Sequence, residues 1–264
     1  MKFYVSVDME GIAGIVMREQ LIPGERLYEE ARVLLTNEVN AVVQSLVDIG
    51  ASQVVVKDAH YFGLNLLINQ LHPAADYCFG GLKASERFAG LDSSFDGALL
   101  IGYHAMAGTQ RAIRDHTMTA VHWQRLELNG QSIGEIGLDA LLFGLYGVPV
   151  LLVTGDDKTC SEAKSYLPEV TTYQTKKAYG RHAGLIRSPK SVYAEYPTII
   201  ERAVQNKAKC APFQMNGPFE LAIRYTSTDL LDGRYFDGVK DKRIDGQSVV
   251  YSDASLLELL NRVM

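Results

Sequence analysis

The 264-residue chain carries 26 Lys and Arg against 31 Asp and Glu, a formal net charge of -5, and 47% of its residues are hydrophobic. That hydrophobic fraction is typical of a globular protein with a sizeable core, and the acidic balance disfavours binding to nucleic acid. Three scattered cysteines exclude a disulfide framework and fit a reducing compartment. We also find neither a signal-peptide pattern nor an apolar run of the roughly 20 residues that a membrane span needs, so we expect a cytoplasmic protein without membrane attachment.

The first predicted strand, residues 3–7, ends in two carboxylates. Asp8 and Glu10 follow its apolar run, and Gly11 and Gly14 then turn the chain. Open α/β sheets bind their ligands at the carboxyl ends of the strands. Two neighbouring carboxylates at that position suit a divalent metal ion better than they suit a packed core.

The next predicted strands also end in side chains that can bind a metal. Apolar residues at helical spacing predict a long helix over residues 24–49, after which the strand 53–57 leads to His60. Another buried strand, residues 97–101, leads to His104. Because a parallel β-α-β unit has a right-handed crossover, the ends of these strands should meet at one edge of a sheet.

A polar loop and a helix start supply two further candidates. In the loop 108–118, His116 stands beside Asp115, a pair that can orient an imidazole for acid–base work or form an ordinary surface ion pair. A predicted hairpin over residues 121–133 then leads to a strongly apolar helix that begins with Glu135.

Strands and helices alternate along most of the chain. This alternation predicts an α/β protein, a three-layer α/β/α arrangement with a mostly parallel sheet, followed by a smaller α+β C-terminal portion. We expect a metal-binding catalytic core over residues 1–170 and a C-terminal portion over residues 171–264. Further predicted features are a helical stretch at 64–71, strands at 76–79, 149–154, 219–227 and 248–252, helices at 158–165 and 191–207, a polar region from Lys176 and Lys177, and a last helix capped by Asp253.

Five side chains in this pattern are suitable ligands for zinc or a similar ion: Asp8, Glu10, His60, His104 and Glu135. Two nearby divalent ions held by such a mixed set would polarise a carbonyl and lower the pKa of a bridging water. Each residue also has an ordinary explanation, as a turn cap, a solvated loop residue, a hydrogen-bonded histidine or a carboxylate favoured by a helix dipole. No contiguous zinc motif decides between these interpretations, and no dinucleotide fingerprint, P-loop or serine-hydrolase elbow points elsewhere.

Several segments together resemble the zinc-dependent D-aminopeptidase family of the dipeptide-operon (DppA) type. The resemblance covers about the first 170 residues and implies a cytoplasmic, ring-shaped homo-oligomer with two zinc ions per subunit. It also implies an enzyme that removes N-terminal D-residues, typically D-Ala, from short peptides. The segments that match in order and at similar spacing are residues 6–12, 58–60, 102–105, 115–118, 134–138 and 149–157.

The resemblance assigns a role to each candidate residue. The implied roles are Asp8 as the bridge between two ions, Glu10, His60, His104 and Glu135 as the remaining ligands, and His116 as the catalytic histidine.

Two alternative functions stay open. They are another dinuclear metallohydrolase, such as an amidase or a phosphoesterase, and a non-catalytic peptide-binding protein that has kept the ligands. The same ligand types serve all of these functions.

Overall fold

A computed structural model describes residues 1–264 and contains twelve strands and five α-helices. No helix is both long enough and apolar enough to cross a membrane. The strands are β1 (Lys2–Val7), β2 (Gln53–Asp58), β3 (Asp76–Cys78), β4 (Gly97–Ile101), β5 (Trp123–Leu128), β6 (Gln131–Ser132), β7 (Val150–Asp156), β8 (Thr171–Gly180), β9 (Ala183–Ile186), β10 (Phe219–Tyr225), β11 (Asp241–Arg243) and β12 (Ser248–Asp253). The helices are α1 (Tyr28–Asp48), α2 (Glu135–Leu145), α3 (Asp157–Tyr166), α4 (Pro189–Gln205) and α5 (Leu256–Asn261).

The strands form two sheets. The larger has the order β3-β2-β1-β4-β7-β8-β9, and all its neighbours are parallel except the β8–β9 pair. The smaller sheet is antiparallel, with the order β11-β12-β10-β5-β6. The predicted α/β class with a mostly parallel sheet is therefore confirmed.

Alternating side chains along β1 pack into two separate cores. Phe3 and Val5 face the core formed with α1 and α4, whereas Tyr4 faces the core that contains α2, α3 and the smaller sheet. Successive strand residues point to opposite faces, so an uninterrupted apolar strand is what a sheet covered on both sides requires. The larger sheet is accordingly the middle layer of the protein.

The predicted helical stretch at 64–71 is wrong. Only a short 3₁₀ turn forms there, at Ile68–Gln70. The main-chain N–H groups of Asn65 and Leu66 donate to the Asp58 carboxylate, at 2.6 and 3.0 Å, rather than to helical carbonyls. Side-chain acceptors of this kind compete with helix formation.

Two smaller predictions in the second half of the chain are also wrong. Lys176 does not begin a polar region, because it is a buried residue of β8, which pairs with β7 inside the larger sheet. The last helix is capped by Ser255, whose hydroxyl accepts from the N–H of Glu258 at 3.4 Å, while Asp253 ends β12.

The two sheets do not divide the chain at residue 170. Strands β8 and β9 continue the larger sheet beyond that point, whereas β5, from the first half of the chain, pairs with β10 from the second. The division into a core at 1–170 and a C-terminal portion at 171–264 stays a prediction about domains.

Candidate metal centre

The ends of three neighbouring strands lie side by side at one edge of the larger sheet. Val7 is in register with Asp58 of β2 and with Ile101 of β4. Just past the strands, the N–H of Asp8 donates to the Ile101 carbonyl at 2.8 Å, and the N–H of Ala59 donates to the Val7 carbonyl at 2.8 Å. The residues that follow each strand are therefore delivered to one place, as the parallel arrangement predicts.

Glycines let two of these strand ends approach closely. The N–H of Gly11 donates to the carbonyl of Gly102 at 2.7 Å, and a Cβ atom at residue 11 would lie 2.1 Å from the Tyr103 carbonyl oxygen. Gly102 also has φ +71°, a conformation that side chains rarely adopt. Any larger residue at either position would push the loop after β1 away from the loop after β4.

The five predicted ligands converge, with Asp8 between two pairs. One carboxylate oxygen of Asp8, Oδ1, lies 3.0 Å from His60 Nδ1, and Glu10 Oε2 lies 3.1 Å from the same nitrogen. The other oxygen, Oδ2, lies 3.2 Å from His104 Nε2, which is also 3.2 Å from Glu135 Oε1. A carboxylate placed between two ligand pairs has the geometry that a bridging ligand needs.

Main-chain carbonyls fix which nitrogen each histidine presents. A ring N–H that donates outward leaves the other nitrogen of a neutral imidazole with a free lone pair, the form that binds a metal or accepts a proton. The three outward bonds are His60 Nε2 to Leu21 O at 2.9 Å, His104 Nδ1 to Ala105 O at 3.0 Å and His116 Nδ1 to Arg114 O at 2.9 Å.

The unpaired atoms at the centre fit a bound cation. Glu10 Oε2 and His104 Nε2 are buried and have no hydrogen-bond partner, although each lies close to other ligand atoms. Lone pairs that face one another at such distances are stabilised when positive charge lies between them. Two imidazole nitrogens with three carboxylates form a donor set that zinc accepts, so these residues fit the metal.

The pKa shifts at the centre also arise from the close approach of carboxylates and imidazoles. Burial lowers the pKa of His104, but the charge of Glu135 and the hydrogen bond to Asp8 outweigh it and raise this pKa well above its ordinary value. In the reverse direction, burial raises the pKa of Glu135, but the positive charge of His104 outweighs it and brings this pKa to about 2. The acidic groups therefore attract positive charge, which protons or metal ions can supply.

His116 lies against the same centre. Its ring stacks on that of His104, with centroids 4.0 Å apart and planes 10° apart, and its Nε2 is 3.7 Å from Glu135 Oε1. Burial and the nearby charge of His104 lower the pKa of His116. A neutral imidazole with a free Nε2 facing the centre can accept a proton.

Strained backbone is concentrated in the segments that carry the histidines. Tyr61, next to His60, has φ 52°, and residues on both sides of His116 also have positive φ, namely Arg111 (58°), Arg114 (53°) and Met118 (59°). Non-glycine residues in this region cost of order 1–3 kcal/mol each and persist where the surrounding structure holds them. Such strain is common at functional sites.

Two buried charged residues that the sequence analysis missed hold the loop after β1. Lys176 Nζ donates to three carbonyls of that loop, those of Glu10 (2.5 Å), Ile12 (2.8 Å) and Ile15 (2.5 Å). Glu38 accepts from the N–H of Ala13 at 2.9 Å and from the Tyr196 hydroxyl at 2.6 Å. The available signal for Glu38 was its place on the apolar stripe of α1, three residues after Leu35 and four before Val42.

Comparison with known proteins extends the family resemblance over the whole chain. The family model described as D-aminopeptidase matches residues 1–264. A D-aminopeptidase of Bacillus subtilis (strain 168) is 38% identical over 227 residues, which make up 86% of this chain and 82% of that protein. A solved structure of the zinc-dependent D-aminopeptidase DppA from Bacillus subtilis, described as a self-compartmentalizing protease, superimposes with a TM-score of 0.91 at 32% identity and covers 100% of this chain and 99% of its own.

A carboxylate–imidazole centre at the strand ends of an α/β sheet is the type of site that metal-dependent hydrolases use. The chain belongs to the D-aminopeptidase family. The family, the enzyme class and the zinc dependence predicted from the sequence are confirmed by these similarities. The similarity also reaches past residue 170, where the sequence motifs ended.

Proposed function

We propose that this protein is a zinc-dependent aminopeptidase that hydrolyses the first peptide bond of short peptides with an N-terminal D-residue such as D-Ala. The observation that carries the proposal is the position of Asp8 between the His60–Glu10 and His104–Glu135 pairs, in a chain matched throughout to D-aminopeptidases. We propose that these five residues hold two zinc ions, with Asp8 shared by both.

In this mechanism bound zinc would polarise the substrate carbonyl and acidify a water molecule at the site. Burial and the nearby charge of His104 lower the pKa of His116, which favours its neutral form, and its Nδ1–H donates to the Arg114 carbonyl. Its Nε2 accepts a proton from the water that attacks the carbonyl and returns that proton to the departing amine. The Glu135 carboxylate, 3.7 Å away, stabilises the imidazolium that exists between these two transfers.

Replacement of His116 by Ala tests this division of roles. We expect the zinc content to stay at the wild-type level while kcat/KM for D-Ala-D-Ala falls by about 10³-fold, since proton transfer contributes about 10²–10⁴-fold. Metal analysis and a peptide-hydrolysis assay measure the two effects. His122→Ala is the matched control, because His122 is an exposed histidine of the same region.

Other outcomes would point to different roles or functions. Loss of zinc from the His116→Ala protein would make His116 a ligand rather than the proton carrier. Preferential cleavage of L-Ala-L-Ala would contradict the proposed D-preference. Hydrolysis of a phosphodiester but not of peptides would indicate another metallohydrolase, and stoichiometric zinc without any hydrolysis would indicate a peptide-binding protein.

We infer further that the chain assembles into a closed, ring-shaped homo-oligomer. The structural relative is described as self-compartmentalizing, and in this chain Tyr235, Val239 and Ile244 are 87%, 75% and 61% exposed within one segment, as interface residues are in an isolated subunit. Sedimentation equilibrium giving only the monomer mass would contradict the inference. The cytoplasmic location stays a prediction, which three cysteines free of disulfides support.

A further inference from the structure

Arg114 is a buried arginine whose guanidinium has no partner in the protein. The residue is 7% exposed, its Nε is buried without a hydrogen-bond acceptor, and no carboxylate pairs with its terminal nitrogens. The two other buried lysine and arginine residues are both satisfied: Lys57 donates to the Gly80 carbonyl, and Lys176 donates to three carbonyls. The buried Nε therefore lacks an acceptor, which an incoming carboxylate could supply while it also pairs with a solvent-accessible terminal nitrogen.

The backbone holds Arg114 beside the proton-accepting histidine. Its N–H donates to the Arg181 carbonyl at 3.0 Å, and its own carbonyl accepts from His116 Nδ1 at 2.9 Å. Its φ of 53° is a positive value that non-glycine residues rarely adopt. The backbone of Arg114 is therefore tied to the position of His116.

Arg114 also lies within electrostatic range of the metal centre. Burial lowers the pKa of Arg114, and the carboxylate of Glu10 is the strongest charge opposing that effect. Arg181 and Arg18 lower this pKa further, but Arg181 is paired with Asp115 at 3.1 Å and Arg18 is paired with Glu25 at 3.2 Å. Of these three arginines, Arg114 is therefore the one without an acidic partner.

We propose that Arg114 binds the C-terminal carboxylate of a short peptide substrate while the first peptide carbonyl lies beside His116. A planar guanidinium pairs with a carboxylate through two parallel hydrogen bonds, which a lysine or an amide cannot reproduce. One residue spans only about 3.5 Å, so a carboxylate near the reacting carbonyl belongs to a dipeptide rather than to a long chain. The inference rests on the proposed function and narrows its substrates to very short peptides with a free carboxyl end.

A comparison of D-Ala-D-Ala with its C-terminal amide tests the proposal. We expect the wild-type zinc enzyme to prefer the free acid by about 10- to 100-fold in kcat/KM, the range of one charge-assisted pair. Arg114→Met should lose that factor on the acid, mainly through KM, and change the amide by less than about threefold. Arg114→Lys should recover part of the preference, since it restores the charge without the fork.

A binding measurement separates recognition from chemistry. The reduced dipeptide, in which a methylene group replaces the scissile carbonyl, should bind the wild type more tightly as the acid than as the amide. In Arg114→Met the two dissociation constants should become equal. Arg111→Met is the matched control, because Arg111 lies in the same loop with a similar φ but is exposed, and it should retain the wild-type preference.

Three results would overturn the assignment of Arg114. They are equal cleavage of the acid and the amide by the wild type, an equal loss on both substrates in Arg114→Met, and an unchanged preference in that variant. If Arg114→Met does not fold, the wild-type substrate pair and Arg114→Lys still decide the question. Failure to cleave any D-peptide would refute the proposed function, whereas equal cleavage of both forms would refute only the carboxylate-binding role.

Discussion

Lys176 and Arg243 each hold a segment of the chain by donating to main-chain carbonyls, Lys176 inside the protein and Arg243 at its partly exposed surface. Lys176 is 1% exposed and binds three carbonyls of the loop that carries Glu10. The Arg243 side chain is 33% exposed and gathers a surface segment. Its acceptors are the carbonyls of Leu231 (3.4 Å), Asp245 (3.0 Å) and Gly246 (3.1 Å) and the carboxylate of Asp232 (3.0 Å).

The two cations differ in whether water can replace their hydrogen bonds when the side chain is removed. Water can take over the hydrogen bonds of an exposed arginine, and exposed ion pairs contribute about 0–1 kcal/mol. Buried carbonyls that lose their donor stay unpaired, which costs about 1–3 kcal/mol each. The ligand loop is therefore held by bonds that solvent cannot substitute, whereas the segment around Arg243 is held by bonds that it can.

The largest expected effect is that of Lys176→Met. Methionine keeps most of the volume but leaves the buried carbonyls of Glu10 and Ile15 without a donor, whereas the Ile12 carbonyl still accepts from the N–H of Ile15. We therefore expect about 3 kcal/mol of lost stability after relief of the buried charge. Zinc affinity should fall together with stability, because Glu10 belongs to the displaced loop. Urea unfolding and competition with a zinc chelator measure these losses. The neighbouring exposed Lys177→Met is the control, and an equal response of the two variants would contradict the comparison.

A pH-dependent test uses Glu38, which holds the same loop. Burial raises the pKa of Glu38 from 4.5 to about 7. The folded state thus binds this proton more tightly than the unfolded state. The resulting stability is complete below pH 4.5 and is lost as the pH rises through 7, a change of about 3 kcal/mol.

Glu38→Gln should remove that pH dependence. Glutamine can accept from the Ala13 N–H and donate to the Tyr196 oxygen, and it stays neutral. Relative to the wild type, the variant should gain about 3 kcal/mol of unfolding free energy between pH 4.5 and 7.5. Unfolding curves of the metal-free proteins measure the gain. Glu30→Gln, at an exposed position on α1, should leave the curve of stability against pH unchanged. If the difference in unfolding free energy between Glu38→Gln and the wild type also stayed constant with pH, the raised pKa of Glu38 would be refuted.

The smallest expected effect is that of Arg243→Met. We expect less than about 1 kcal/mol of destabilisation, with zinc content and peptide cleavage unchanged, because solvent replaces the lost bonds. The same urea and metal assays apply. A loss of unfolding free energy as large as that of Lys176→Met would show that solvent does not replace the hydrogen bonds of Arg243, and would contradict the comparison.

The candidate site was predictable from the sequence where its signal was local. Asp8, His60 and His104 each follow an apolar strand within three residues, and parallel strands bring their ends together. The place of Glu38 on the apolar stripe of α1 indicates that it is buried, but Lys176 and Glu38 act on main-chain groups far away along the chain, so no spacing pattern indicates what they bind. Likewise the sequence of the loop does not indicate which of its two arginines, Arg111 or Arg114, is buried.

The fold was predictable to a similar degree and for similar reasons. Apolar runs and helical periodicity located most strands and helices. The prediction of a helix at 64–71 was wrong because its apolar spacing does not indicate that the Asp58 carboxylate accepts hydrogen bonds from the N–H groups of this stretch. The prediction of a polar region at Lys176, where β8 lies, was wrong because a buried lysine in a strand cannot be distinguished by sequence from a lysine in a polar loop.

The carbonyls of Leu21, Ala105 and Arg114, which fix the three histidine tautomers, have a consequence for sequence divergence. Every amino acid offers a carbonyl, so substitutions at these positions leave the proton placement of the centre intact provided that the backbone path is kept. Relatives can therefore diverge at these three positions without retuning the imidazoles. The tautomers depend on loop shape, to which residues such as Gly11 and Gly102 contribute, rather than on the identity of the acceptor residues.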